Sequence, residues 1–117
     1  MRPWLPLVLL AGPAFGDVPV IERAEAVRLG TGWRFDVTVR HADAGWDHYA
    51  DGWTILTETG GPLAHRELLH PHDDEQPFTR SLSGVAIPDG TERVILRAHD
   101  TVHGWSVDHV LTLPEAP

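Results

Sequence analysis

An alternation of apolar and polar residues with a period of two constrains this chain more than any other feature. Residues 33–40 place tryptophan, phenylalanine and two valines on one side, and arginine, aspartate and threonine on the other. Residues 94–99 and 105–113 alternate in the same way, so three half-buried strands are predicted. Four weaker strand candidates are residues 18–29, 46–57, 62–70 and 78–87. No stretch shows a sustained helical period.

Turn-forming residues separate these candidates, as in the Thr59-Gly60-Gly61-Pro62 and Pro88-Asp89-Gly90-Thr91 segments. About seven short strands with turns between them are typical of an antiparallel β-sandwich of the immunoglobulin or fibronectin III kind. A buried tryptophan on the third strand is a hallmark of immunoglobulin domains. Trp46 or Trp53 on the third strand is the candidate for that central core tryptophan.

Residues 1–16 have the pattern of a secretory signal peptide. One arginine precedes an apolar run from Trp4 to Ala11, and Ala14-Phe15-Gly16 supplies the small residues that a signal peptidase prefers. The run is shorter than the roughly 20 residues of a membrane span. We therefore expect a signal peptide at 1–16, a β-sandwich domain at 17–117 and a periplasmic or secreted mature protein. No cysteine follows the run, so we expect no lipid anchor on cysteine.

Composition excludes several functional classes. The chain carries 17 acidic and 9 basic residues, a formal net charge of −8, which disfavours nucleic-acid binding. Cysteine is absent, so an exported form has no disulfides. The single methionine is the initiator. A metal bound to the mature protein is therefore held without sulfur, by imidazole and carboxylate groups that suit Zn(II), Ni(II) or Cu(II).

Five of the eight histidines fall in two short clusters, "HRELLHPHDDE" at 65–75 and "HDTVHGW" at 99–105. Pro71 favours extended backbone, in which the side chains two residues apart on either side of it leave the same face. Acidic residues next to these histidines could complete a ligand shell. The predicted metal ligands are His70, His72, His99 and His103, with Asp73 and Asp100 as auxiliary groups. The alternative is that both segments are ordinary solvated loops, with Asp100 capping a turn.

Four other histidine-bearing features have mainly structural interpretations. The segment "GWDHYADGW" at 45–53 could form an aromatic ligand floor, although its tryptophans fit core or strand-edge positions better. His41 continues the inward face of the 33–40 strand, and could reach a site at that end of the sandwich. His109 lies on an apolar face. His65 could join His70 only through a β-bulge.

The segments "DHYADGW", "HPHDDEQPFTRSLSGVAIP" and "AHDTVHGW" resemble those of small exported proteins of uncharacterised function in Gram-negative bacteria. This resemblance implies a periplasmic location and no known activity. The strand layout resembles the immunoglobulin-like superfold, which hosts many unrelated functions.

The function that these patterns predict is binding of a divalent transition metal, Cu(II) or Zn(II), in periplasmic metal handling or delivery. Cu(I) is disfavoured because soft sulfur ligands are missing. The alternative is a metal-free interaction module that binds a cell-envelope protein. Catalysis is not expected, because the chain has no Gly-x-Ser-x-Gly motif, phosphate-cradling loop or cysteine nucleophile.

Overall fold

The computed structural model of the chain describes residues 18–114, and the regular structure in that range is entirely β. Its eight strands are β1 (Val20–Leu29), β2 (Gly32–Arg40), β3 (Ala50–Leu56), β4 (Pro62–Glu67), β5 (Phe78–Val85), β6 (Arg93–Asp100), β7 (Gly104–Trp105) and β8 (His109–Thr112). Within this range no helix is long and apolar enough to cross a bilayer. The predicted signal peptide at 1–16 lies outside the described residues.

The strands form two antiparallel sheets. One sheet has the order β1-β2-β5, and the other has the order β4-β3-β6, with both β7 and β8 paired to β6. The apolar faces of β2 and β6 enclose the core, as their alternation predicts. This arrangement confirms the predicted immunoglobulin- or fibronectin III-like sandwich.

Trp53, and not Trp46, is the core tryptophan of β3. The Trp53 side chain is completely buried, whereas Trp46 precedes the strand and is 66% exposed. The predicted third strand is therefore shorter than residues 46–57, because residues 46–49 belong to the connection before it.

The prediction of one continuous strand over 105–113 is wrong, since the segment divides into β7 and β8. Ser106 occupies an inward position, where its N–H donates to the Ala98 carbonyl (2.7 Å) and its hydroxyl accepts the Ala98 N–H (3.0 Å). Trp105 and Val107 on either side consequently face outward, and Val107 is 85% exposed. His109 is half-buried at the start of β8.

Strand register brings three connections to one end of the sandwich, which we call the loop end (residues 41–49, 68–77 and 101–103). Val39 of β2 pairs with Phe78 of β5, so connections 41–49 and 68–77 are neighbours. Ala50 of β3 pairs with Asp100 of β6, which places residues 101–103 beside 41–49. Both histidine clusters therefore border the same end of the fold.

Candidate metal centre

Asp100 lies at the centre of a polar cluster at the loop end. It continues the inward face of β6 after Ala98, and its side chain is completely buried. Its Oδ1 accepts the backbone N–H groups of Val102 (2.9 Å), His103 and Gly104 (3.1 Å). These three bonds form the tight turn between β6 and β7 and fix the direction of the carboxylate.

Three imidazole rings converge on the other carboxylate oxygen, Asp100 Oδ2. His41 Nε2 lies 2.9 Å from it, His48 Nε2 lies 3.0 Å away and His103 Nδ1 lies 3.3 Å away. The facing nitrogens of His48 and His103 are 3.2 Å apart. Three ring nitrogens thus lie within 3.3 Å of one carboxylate oxygen.

A second buried carboxylate, Asp43, orients His41. Asp43 Oδ1 lies 2.6 Å from His41 Nδ1 and also accepts the Ala50 N–H at 3.1 Å. Asp43 Oδ2 accepts the backbone N–H of His72 at 2.6 Å. A carboxylate on one imidazole nitrogen fixes the ring so that the other nitrogen points at a bound ion, an arrangement common around metal ligands.

Charge in the cluster is strongly constrained. Burial opposes ionisation of Asp100, but hydrogen bonds from the His103 N–H, the His48 ring, the Val102 N–H and the His41 ring outweigh it and hold the pKa of Asp100 far below the usual range. The ionised carboxylate is therefore present at neutral pH.

The solvent-exposed part of the cluster lies at His48 and His103. The side chains of His41, Asp43 and Asp100 are completely buried, whereas His48 is 18% and His103 is 36% exposed. Backbone bonds hold the two partly exposed histidines together, because Thr101 N–H donates to the Tyr49 carbonyl (3.1 Å) across the two connections. An ion could therefore enter past His48 and His103 and contact the buried side chains of His41 and Asp100.

Of the predicted ligands, Asp100 and His103 belong to this cluster, and His72 lies next to it. His72 is stacked on Phe78 with ring centroids 3.9 Å apart, and its Nε2 accepts a hydrogen bond from Arg80 (2.8 Å). Its buried Nδ1 has no hydrogen-bond partner among the described residues and lies 4.0 Å from Asp43 Oδ2. Burial, with the positive charge of Arg80, lowers the pKa of His72 and favours the neutral ring. His72 therefore borders Asp43 rather than Asp100.

The other predicted ligands point elsewhere. His70 is exposed, with its ring centroid 4.7 Å from that of His72. Asp73 accepts the Gly45 N–H at 3.2 Å. His99 faces the opposite side of β6 from Asp100, where its Nδ1 lies 2.6 Å from Asp51 and its ring meets the edge of Trp105. Side chains of consecutive strand residues leave opposite faces, so His99 and Asp100 cannot share a site.

His41 and His48 are not among the predicted ligands, although the first carried a usable signal. His41 follows four buried inward residues of β2, just as Asp100 follows Val94, Leu96 and Ala98 of β6. A histidine and an aspartate at inward positions, each ending a neighbouring apolar face, indicate a shared buried site. His48 lies in an irregular connection and gives no such periodic signal.

Comparisons with known proteins find a relative that matches part of this chain, and they identify no family. No family model and no solved structure matches the chain. A curated protein from the archaeon Halomicrobium mukohataei, named "Putative lipoprotein", is 46% identical over 76 residues, which cover 65% of this chain and 37% of that protein. The chain thus spans well under half the length of this relative. The relative's archaeal source does not support the expected Gram-negative home, and its name does not point to an enzyme.

Proposed function

We propose that the protein binds one divalent transition metal ion through His41, His48, His103 and Asp100. The observation that carries this proposal is the convergence of three imidazole nitrogens on one buried carboxylate oxygen, at 2.9 Å, 3.0 Å and 3.3 Å. His41, His48 and Asp100 each offer one potential ligand atom, and these three atoms lie within 4.8 Å of one another. Of the ligands predicted from the sequence, this set retains Asp100 and His103. His41 and His48 take the place of the others, which were His70, His72, His99 and Asp73.

The size of the cluster suits a small transition metal. A tetrahedral shell with zinc–ligand bonds of 2.0–2.2 Å places its ligand atoms about 3.3–3.6 Å apart. The distances from Asp100 Oδ2 to the three ring nitrogens, 2.9–3.3 Å, are slightly shorter than this. Small outward movements of His48 and His103 would complete the fit. Asp43 would act from outside the shell by holding the His41 ring.

We propose metal handling or delivery in an exported setting as the biological role. An apolar run at residues 4–11 and a relative named "Putative lipoprotein" support export. Partial exposure of His48 and His103 supports exchange, because an ion held there has a direct path to solvent or to an acceptor. A periplasmic location is the specific form of this proposal.

The test is a competition titration of the tag-free protein with Zn(II) against a chromophoric chelator. The parent should bind one equivalent with a Kd below about 1 μM, and the His48→Ala/His103→Ala variant should lose at least 100-fold in affinity. His70→Ala/His99→Ala is the matched control, because it also removes two partly exposed histidines but leaves the cluster intact. Equal affinity of parent and His48→Ala/His103→Ala, or a loss confined to His70→Ala/His99→Ala, would overturn this ligand set.

A metal-free interaction module is the second candidate, favoured by exposed apolar side chains at the loop end. Trp46 packs edge-on against Tyr49, with ring centroids 5.5 Å apart, and remains largely exposed, as does Val102 beside His103. Exposed aromatic side chains are enriched at protein interfaces. If no metal binds one-to-one, capture of an envelope protein that is lost on Trp46→Ala/Val102→Ala substitution would support this function.

A further inference from the structure

We infer that a shallow groove at the loop end binds a basic segment of a partner protein, with an arginine or lysine side chain seated against Trp46. We call this surface the acidic groove (residues 45–46 and 70–75), and it encloses about 570 Å³. It lies beside the candidate metal centre and includes none of the proposed ligands. The inference therefore goes beyond the proposed function and applies to the metal-free protein.

A tight turn presents Trp46 to solvent at one side of the acidic groove. Gly45 has a φ of +68°, a conformation that favours glycine, and the Ala44 N–H donates to the His48 carbonyl at 2.7 Å across the turn. Both carboxylate oxygens of Asp73 accept the Gly45 N–H, at 3.2 Å and 3.3 Å, and tie the turn to the neighbouring connection. The indole held in this way is 66% exposed. Tryptophan is enriched among the residues that contribute most to binding at protein interfaces.

Negative charge surrounds this tryptophan and indicates a cationic partner. The three connections of the loop end contain five carboxylates and no arginine, whereas the rest of residues 18–114 has ten carboxylates and eight arginines. Asp73, Asp74 and Glu75 line the acidic groove and are exposed. An ion pair between Glu75 and Arg80 (3.3 Å) offsets one of these charges. The groove therefore keeps a net negative charge when its histidines are neutral.

A guanidinium or ammonium group suits the tryptophan and the carboxylates together, since they line one groove. Such a cation can lie over the exposed indole of Trp46, while Asp74 or Glu75 accepts its N–H groups in charge-assisted hydrogen bonds. An acidic side chain would instead be repelled by the same carboxylates. Charge complementarity thus selects an arginine- or lysine-rich protein segment as the occupant.

Nuclear magnetic resonance of ¹⁵N-labelled, tag-free protein in EDTA tests this inference. The probe is a short amidated peptide with consecutive arginines, and the matched negative probe has glutamates in their place. We expect the arginine peptide to shift the Trp46 indole N–H signal and the backbone signals of residues 70–75. Raising the salt from about 20 mM to about 500 mM should weaken this binding at least about threefold, because salt screens exposed charges.

Three variants tie the binding to the acidic groove. Trp46→Ala leaves the net charge unchanged and should weaken binding of the arginine peptide about threefold, through loss of the cation–π contact. Asp74→Asn/Glu75→Gln should weaken it by a similar factor, because two carboxylates are removed. Asp89→Asn/Glu92→Gln is the matched control, since it removes two exposed carboxylates from the connection between β5 and β6, at the opposite end of the sandwich. The control pair should bind the peptide as the parent does.

The outcomes distinguish a specific groove from general attraction to an acidic protein. Shifts spread evenly over the surface, or equal losses in the groove variants and the control pair, would overturn the inference. Binding of the glutamate peptide at the groove, or no binding of the arginine peptide at millimolar concentration, would also overturn it. None of these results decides whether the candidate centre binds zinc, which the competition titration measures separately.

Discussion

Replacement of Asp43 by asparagine should weaken both the fold and the metal site, although Asp43 is not a proposed ligand. The buried carboxylate accepts three hydrogen bonds, from the His41 ring and from the N–H groups of Ala50 and His72. Asparagine keeps a single oxygen. Whichever way its amide turns, the NH₂ group then faces at least one buried donor, and that contact is repulsive.

The magnitude follows from counting these bonds. A buried donor left without an acceptor costs about 1–3 kcal/mol, and turning charge-assisted bonds into neutral ones costs about another 1 kcal/mol. We therefore expect the free energy of unfolding of the metal-free protein to fall by about 3 kcal/mol, which lowers Tm by about 12–24 °C in a domain of this size. Metal affinity should fall by about 10–100-fold, as for other groups that orient a ligand.

Urea unfolding followed by tryptophan fluorescence, with a zinc competition titration on the same samples, measures both effects. Asp73→Asn is the control. Among the described residues Asp73 accepts only the Gly45 N–H, at the surface, and its loss should change stability by less than about 0.5 kcal/mol. A folded Asp43→Asn protein that loses less than about 1 kcal/mol, or that binds zinc within twofold of the parent, would refute the orienting role of Asp43.

Three further predictions concern the sandwich itself. Trp53→Ala should cost about 3–5 kcal/mol in urea unfolding, because the side chain is completely buried; a loss below about 1 kcal/mol would refute its place in the core. Gly52→Ala should cost about 1–3 kcal/mol, since a Cβ there would lie 2.7 Å from the His65 ring, and adding His65→Ala should restore part of the loss. The Ser81 hydroxyl bond lowers the pKa of Asp36 below its ordinary 3.8. Ionised Asp36 thus stabilises the fold above pH 3.8, and this contribution disappears as pH falls through the lowered pKa. In Ser81→Ala, the free energy of unfolding should consequently fall less steeply between pH 4 and pH 2. The same pH dependence as in the parent would contradict this role of the Ser81 hydroxyl.

The fold was predictable because, within each strand, the alternation of apolar and polar residues shows which side chains are buried. Trp33 to Val39 and Val94 to Ala98 are buried on every second residue, as a half-buried strand requires. The pattern misled only where backbone pairing overrode it. Ser106 takes an inward position by bonding to Ala98, so Trp105 and Val107 face outward, whereas Leu111 and Leu113 of the same alternating series pack against the core.

The candidate centre was only partly predictable, because its ligands meet through sheet register and not through sequence spacing. Asp100 and His103 are close in sequence, whereas His41 and His48 come from the connection between β2 and β3. Local clustering also favoured His70 and His99, which lie outside the site. The more informative signal is a polar residue at the end of an inward-facing apolar series. His41 and Asp100 each occupy such a position.

The most direct test of the central claim is a crystal structure of the zinc-loaded protein with anomalous scattering measured at the zinc edge. We expect one strong peak about 2.0–2.2 Å from His41 Nε2, His48 Nε2, His103 Nδ1 and Asp100 Oδ2. A peak on His70, His72 or His99 instead, or no ordered zinc at the loop end, would contradict it.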